Sequence, residues 1–114
     1  MGKLVRDRIP ERIKRDGGRA PRTRILVNDV DYRSELGRKL VEESSELHVA
    51  LAGLAGGSTV SRVEKVIDEL ADVEEILAAL RATLGIRASN VRARIKLKRK
   101  ERGGFEGRVY LEDQ

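Results

Sequence analysis

Leucine and valine recur at helical spacing over two long stretches of this chain. Leu36, Leu40, Leu47, Leu51 and Leu54 fall on one stripe and predict a helix over about residues 32–52. Asn28-Asp29 offers a turn or cap before it, with Asp31 the expected N-cap. Val63, Val66, Ile67, Leu70, Val73, Leu77 and Leu84, widened on one side by Ile76 and Leu80, predict a second helix. It begins near Ser61, where Ser61-Arg62-Val63-Glu64 has capping-box spacing, and stops at Gly85. Gly56-Gly57-Ser58 between the two reads as the turn of a helical hairpin.

The flanks are weaker in pattern. A short helix is expected from Arg6 to Asp16, with Pro10 in its first turn and Gly17-Gly18 ending it. A basic third helix is expected from Ser89 to Gly103-Gly104, with Val91, Ile95 and Leu97 as its limited apolar contact. Thr23, Ile25 and Val27 alternate, which suggests a short strand. Arg108 to Leu111 suggests another that could pair with it. The expected fold is therefore all-α, one domain over residues 1–114, with peripheral strands near Thr23–Val27 and Arg108–Leu111.

Polar residues change this picture where they interrupt the apolar stripes. At about 100° per residue, Glu43 falls in the middle of the first stripe and Glu46 on its flank. Glu69 lies inside the widened arc of the second helix and Asp72 just beyond its edge. The acids belong to two short repeats, Glu42-Glu43-Ser44-Ser45-Glu46 and Asp68-Glu69-Leu70-Ala71-Asp72, which mirror one another about the hairpin turn. Folding back the hairpin brings Glu43, Glu46, Glu69 and Asp72 to matching heights. Like charges gathered this way repel, and burying one of them unpaired costs several kcal/mol. Glu43 could stay protonated, or Arg38, Lys39 or Arg62 could pair with some of the acids, as on an ordinary solvated helix face. A carboxylate centred on an apolar stripe argues instead for a bound dication. Oxygen-only ligands select a hard ion, Mg²⁺ or Mn²⁺, and His48 is not needed. Four carboxylates exceed the charge of one dication, so a second ion arriving with substrate is a reasonable expectation. Such a site activates water and screens a phosphoryl group during attack.

Composition narrows the classes. Lys and Arg number 24 against 19 Asp and Glu, giving a net charge of +5 with the basic excess at the two ends. With 38% charged residues and no long apolar run, a membrane span is excluded. The first residues turn charged at once, so no signal core is expected and a cytoplasmic protein is the default. Without cysteine there is neither a disulfide framework nor a thiolate metal site. The basic ends could meet nucleic acid or the phosphates of a small substrate. The former is the poorer match, because the central acids repel a nucleic-acid backbone and aromatics for base stacking are 3%. Val41 and Val49 lie off the main stripe and suggest a further contact surface, and with it a homodimer at least.

At these residues the chain resembles the MazG-like, all-α nucleoside triphosphate pyrophosphohydrolases. That superfamily carries E-E-x-x-E and, across a helical hairpin, E-x-x-D, matched here by Glu42-Glu43-Ser44-Ser45-Glu46 and Glu69-Leu70-Ala71-Asp72. The opening Lys3-Leu4-Val5-Arg6-Asp7-Arg8-Ile9-Pro10 and the late Arg102-Gly103-Gly104-Phe105 look like a compact house-cleaning, phosphoribosyl-ATP pyrophosphohydrolase-like subgroup. The resemblance implies a four-helix-bundle core, often completed in a homodimer or homotetramer. It implies Mg²⁺-dependent hydrolysis of a nucleoside triphosphate, which could be noncanonical, to the monophosphate and pyrophosphate. Glu43, Glu46, Glu69 and Asp72 would be the metal ligands and Glu42 an auxiliary catalytic acid, orienting water or binding a further ion. Lys98 and Arg102 would contact phosphates, with Lys3 and Arg6 as further candidates. The competing readings are a basic helical nucleic-acid-binding module and a dimeric adaptor that kept the fold without turnover.

Overall fold

The computed structural model describes residues 2–113 and is built from four α-helices: α1 (Ile9–Gly17), α2 (Asp29–Ala52), α3 (Val60–Thr83) and α4 (Ala88–Arg102). A 3₁₀ turn, Gly53–Gly56, follows α2 directly. The fold is all-α, as the patterning predicts.

Helices α2 and α3 form the packed unit. Both are 24 residues long, so their stripes match over the full length of the hairpin. The turn is shaped by local chemistry. Gly57 sits at φ +120°, a conformation open to glycine and strained for other residues. Arg62 Nη1 donates to the Gly57 carbonyl at 3.1 Å and closes the loop against the start of α3.

Both long helices are capped two or three residues earlier than the sequence suggests. Asn28, not Asp31, caps α2: its Oδ1 accepts from the N–H groups of Val30 (2.8 Å) and Asp31 (3.1 Å). Thr59, not Ser61, caps α3, its hydroxyl accepting from the Arg62 N–H at 3.3 Å. In each case the earlier residue keeps extended backbone, as a cap requires, and the later one is already helical. Asn28→Ala leaves two amide donors of α2 without a side-chain acceptor. It is expected to cost about 1 kcal/mol, read from urea unfolding of the two proteins.

The expected strands are absent: no strand occurs among the described residues. Ile25 and Val27 are 82% and 88% exposed, and Val109, Tyr110 and Leu111 are equally open. Alternation over so few residues gives an edge with nothing to pair against, and an isolated two-stranded ribbon is marginal in water.

Helices α1 and α4 stand outside the packed hairpin, and neither buries a residue. A four-helix bundle is therefore not closed within one chain. The radius of gyration is 18.2 Å, where a compact domain of this length has about 13 Å. The accessible surface is 10198 Å², where a compact monomer of this mass shows about 6,200 Å². The apolar residues that meet inside the hairpin are few: Leu36, Ala50 and Ile76 are buried. Val63, Leu70 and Leu77 along α3 and Leu84 at its C-cap recur every seventh residue and are all exposed. No described helix is long and apolar enough to cross a membrane.

Candidate metal centre

Two glutamates share the interior of the hairpin with those three apolar residues. Glu69 is 3% exposed and Glu43 8%, and they are the polar residues most deeply enclosed among those described. Their positions follow from the helical stripes. Glu43 projects from the buried face of α2, seven residues after Leu36 and seven before Ala50. Glu69 does the same on α3, seven residues before Ile76.

The fold brings the expected acids together in two overlapping groups. Carboxylate oxygens of Glu43, Glu69 and Asp72 lie within 4.8 Å of one another, and so do those of Glu42, Glu43 and Glu46. Glu43 belongs to both. Glu46 is exposed and stands with its own helix, while Asp72 is half-buried at the edge of the first group. Around a hard ion with bonds of about 2.1 Å, opposite ligand oxygens are about 4.2 Å apart, so small rotations suffice to close either group on a dication.

Cations answer this cluster more fully than the sequence reading expects. Lys39 lies 3.8 Å from Glu43 and 3.6 Å from Glu42. Lys65 lies 2.8 Å from Glu69. Arg6 Nη2 reaches Asp72 Oδ1 at 2.7 Å from the far end of the chain. Of the expected partners, only Lys39 engages. Arg38 pairs with Glu35 at 3.6 Å, and Arg62 is committed to the hairpin turn. Lys65 is the residue the sequence reading missed, although its position one helical turn before Glu69 is a usable signal.

These partners leave the buried charge incompletely answered. Each lysine meets one oxygen, Oε1, of its glutamate. The second oxygen, Oε2, is buried and without a hydrogen-bond partner in both Glu43 and Glu69. Burial pushes the Glu43 carboxyl above its ordinary value of 4.5. The adjoining Glu46 carboxyl and then Asp72 push the same way, and Lys39 opposes them. Lys65 is held above the ordinary lysine value, chiefly by its hydrogen bond to Glu69. An orphaned, buried carboxylate oxygen on each of two facing helices is the donor set a hard dication takes. The residues present therefore fit such an ion.

The remaining sequence candidates separate. Arg6 joins the site through Asp72. Lys3 is exposed and makes no ion pair among the described residues. Lys98 and Arg102 lie on the exposed α4, with no hydrogen bond or ion pair to the acidic cluster among the described residues. The neighbouring Arg99 is tied to Glu106 at 2.6 Å.

No family model matches the chain, and no solved structure matches it. A protein of Mycolicibacterium smegmatis described as uncharacterized is 50% identical over 60 residues, which is 50% of this chain and 59% of that protein. The chain thus matches less than two thirds of that relative's length.

Proposed function

We propose that this protein is a Mg²⁺-dependent nucleoside triphosphate pyrophosphohydrolase, releasing the monophosphate and pyrophosphate. The observation that carries the reading is the pair of buried glutamates, one on each helix of the hairpin, each with an unpartnered oxygen. The resemblance of the paired acidic repeats to the MazG-like superfamily supports it.

In this reading Glu43, Glu46, Glu69 and Asp72 hold the dication, with Mn²⁺ an acceptable substitute. When bound, such an ion polarises a phosphoryl oxygen and lowers the pKa of a coordinated water. Glu42, at the exposed rim of the second acidic group and 3.6 Å from Lys39, orients the attacking water and takes up its proton. Lys39 and Lys65 offset part of the charge of Glu43 and Glu69 and hold their Oε1 atoms in place before substrate arrives. The hairpin supplies rigidity, since both glutamates are locked by packing on regular helices. Homodimerisation through the exposed seam of α3 completes a four-helix bundle around the site.

The test is a panel of canonical and damaged nucleoside triphosphates with Mg²⁺, followed by pyrophosphate release. At least one substrate is expected to turn over, and excess chelator is expected to abolish release. Turnover that persists in chelator, or no turnover across the panel, sinks the reading. One observation favours a nucleic-acid-binding module instead: apart from Arg99, the cations of α4 are exposed and without ion pairs among the described residues. Steeply salt-dependent duplex binding, lost on neutralising Arg94, Lys98 and Arg102, distinguishes it.

A further inference from the structure

We propose that Arg6, Arg8 and Arg12 form the receptor for the polyphosphate tail of the substrate. On this proposal Arg6 exchanges Asp72 for phosphate when a dication enters the acidic cluster. The proposal rests on the dication-dependent reading of the acidic cluster and assigns its anion-binding half to α1 rather than α4.

Two independent observations meet at Arg6. The first is its ion pair with Asp72 at 2.7 Å, which ties residues 66 positions apart and anchors the N-terminal segment at the rim of the acidic site. The second is a groove of about 370 Å³ lined by Arg6, Arg8, Ile9, Glu11, Arg12 and Arg15. Arg6 belongs to both features and so links the groove to the acidic cluster.

The groove is built for an anion. Arg8 and Arg12 are one helical turn apart and make no ion pair among the described residues. Like charges at that spacing destabilise a helix unless something negative lies between them. Arg15 is spoken for by Asp16 at 3.3 Å. Guanidinium groups present paired N–H donors that match phosphate oxygens two at a time. A short polyphosphate carrying its own dication can place its metal among the glutamates and its remaining oxygens in the groove. A continuous nucleic-acid backbone cannot do so without running its further phosphates over the acidic cluster.

Arg6 is the cation of the cluster that does not share a helix with the acid it serves. Lys39 and Lys65 sit on the same helices as the acids they serve, one turn away. Arg6 lies on the turn before α1, its carbonyl held by the Ile9 N–H at 3.0 Å, and its side chain is half exposed. A dication bound to Asp72 repels the guanidinium that holds Asp72 now. The side chain can swing to a phosphate while the turn stays in place.

The experiment separates the two halves by ligand. Mn²⁺ binding is read by electron paramagnetic resonance without nucleotide, and inorganic tripolyphosphate binding by calorimetry at saturating Mg²⁺. With Arg6→Ala, Mn²⁺ alone is expected to bind several-fold more tightly, because a competing counter-charge is gone. Tripolyphosphate is expected to bind roughly tenfold more weakly, the usual loss for a charge-assisted hydrogen bond. The double variant Arg8→Ala/Arg12→Ala is expected to leave Mn²⁺ binding unchanged and to weaken tripolyphosphate alone. All three positions are exposed, and circular dichroism checks the fold. Weaker or equal Mn²⁺ binding in Arg6→Ala overturns the exchange, and wild-type tripolyphosphate binding in the double variant overturns the groove. Preferential binding of duplex DNA over tripolyphosphate at these arginines overturns it too. If the unmodified protein binds no Mn²⁺, the metal-centre reading itself has failed and takes the proposal with it. If it binds Mn²⁺ and the arginine variants behave as wild type, only the proposal falls.

Discussion

Glu69→Gln and Glu43→Gln are expected to lower Mg²⁺-dependent pyrophosphate release by at least a hundredfold while making the metal-free protein more stable. The first effect follows from ligand loss: changes one shell further out already cost about 10–100-fold in metal affinity or activity. The second follows from burial. Each glutamate places a charge inside the hairpin with one oxygen unpartnered, and glutamine keeps the shape without the charge. The lysine lost as a partner of Glu69 is largely in water, so little is forfeited with it. A gain of about 1 kcal/mol is expected for either variant at neutral pH, seen as a melting temperature higher by a few degrees.

For Glu43 the sign with pH is fixed by its raised carboxyl. Between the ordinary value of 4.5 and that raised value, the folded state holds more protons here than the unfolded state. Wild-type stability therefore falls as pH rises through that window. The advantage of Glu43→Gln vanishes at about pH 4.5 and below and is complete above the raised value. Adding Mg²⁺ reverses the order of the two proteins, since a ligand at a hundred times its dissociation constant stabilises the wild type by about 2.7 kcal/mol. Urea unfolding at several pH values, with and without Mg²⁺, reads all of this. A Glu43→Gln protein that is less stable than wild type in chelator at pH 7 refutes the account of the buried charge.

The long helices and their buried acids were legible because one periodicity carries both kinds of information. The stripe that predicts α2 also places Glu43 among leucines, and the wider arc of α3 encloses Glu69. The structure buries both. Asp72, read at the edge of that arc, is half-buried. The contact between Arg6 and Asp72 could not be read this way, because no local pattern reports which loop residue returns to a helix 66 positions later. The strands at Thr23–Val27 and Arg108–Leu111 misled for a related reason. Period-two alternation describes a segment fit for a sheet, and nothing in the segment supplies the sheet. The resemblance to the pyrophosphohydrolases spans most of the chain at motif level, yet the leading candidates for phosphate contacts, Lys98 and Arg102, rest on their spacing on the basic helix, with Arg6 ranked behind them. The structure joins neither residue to the acidic cluster.

The apolar arc of α3 is wider than one partner helix can cover, and that excess points to a second hairpin. One neighbour can cover only one line of a helix. With α2 on one side, Val63, Leu70, Leu77 and Leu84 are left exposed along a straight seam, and α1 and α4 do not cover it. These side chains are already about half covered, so burying the rest of each is worth about half of the roughly 1.5–3 kcal/mol of full burial, and the matching seam of a second copy adds an equal share toward the cost of association. The surface, about 4,000 Å² larger than a compact monomer needs, is ample for an interface of standard size. The protein is therefore expected to sediment at no less than twice its 12.7 kDa chain mass. Leu70→Glu or Leu77→Glu is expected to shift it to monomer and to lower its stability in a concentration-dependent way, because a charge in the middle of the seam has no partner there. Sedimentation equilibrium and urea unfolding at two protein concentrations measure both. A wild-type monomer whose Leu70→Glu variant unfolds at the same urea concentration would show that the seam faces water, and that the hairpin holds its buried acids without a second copy.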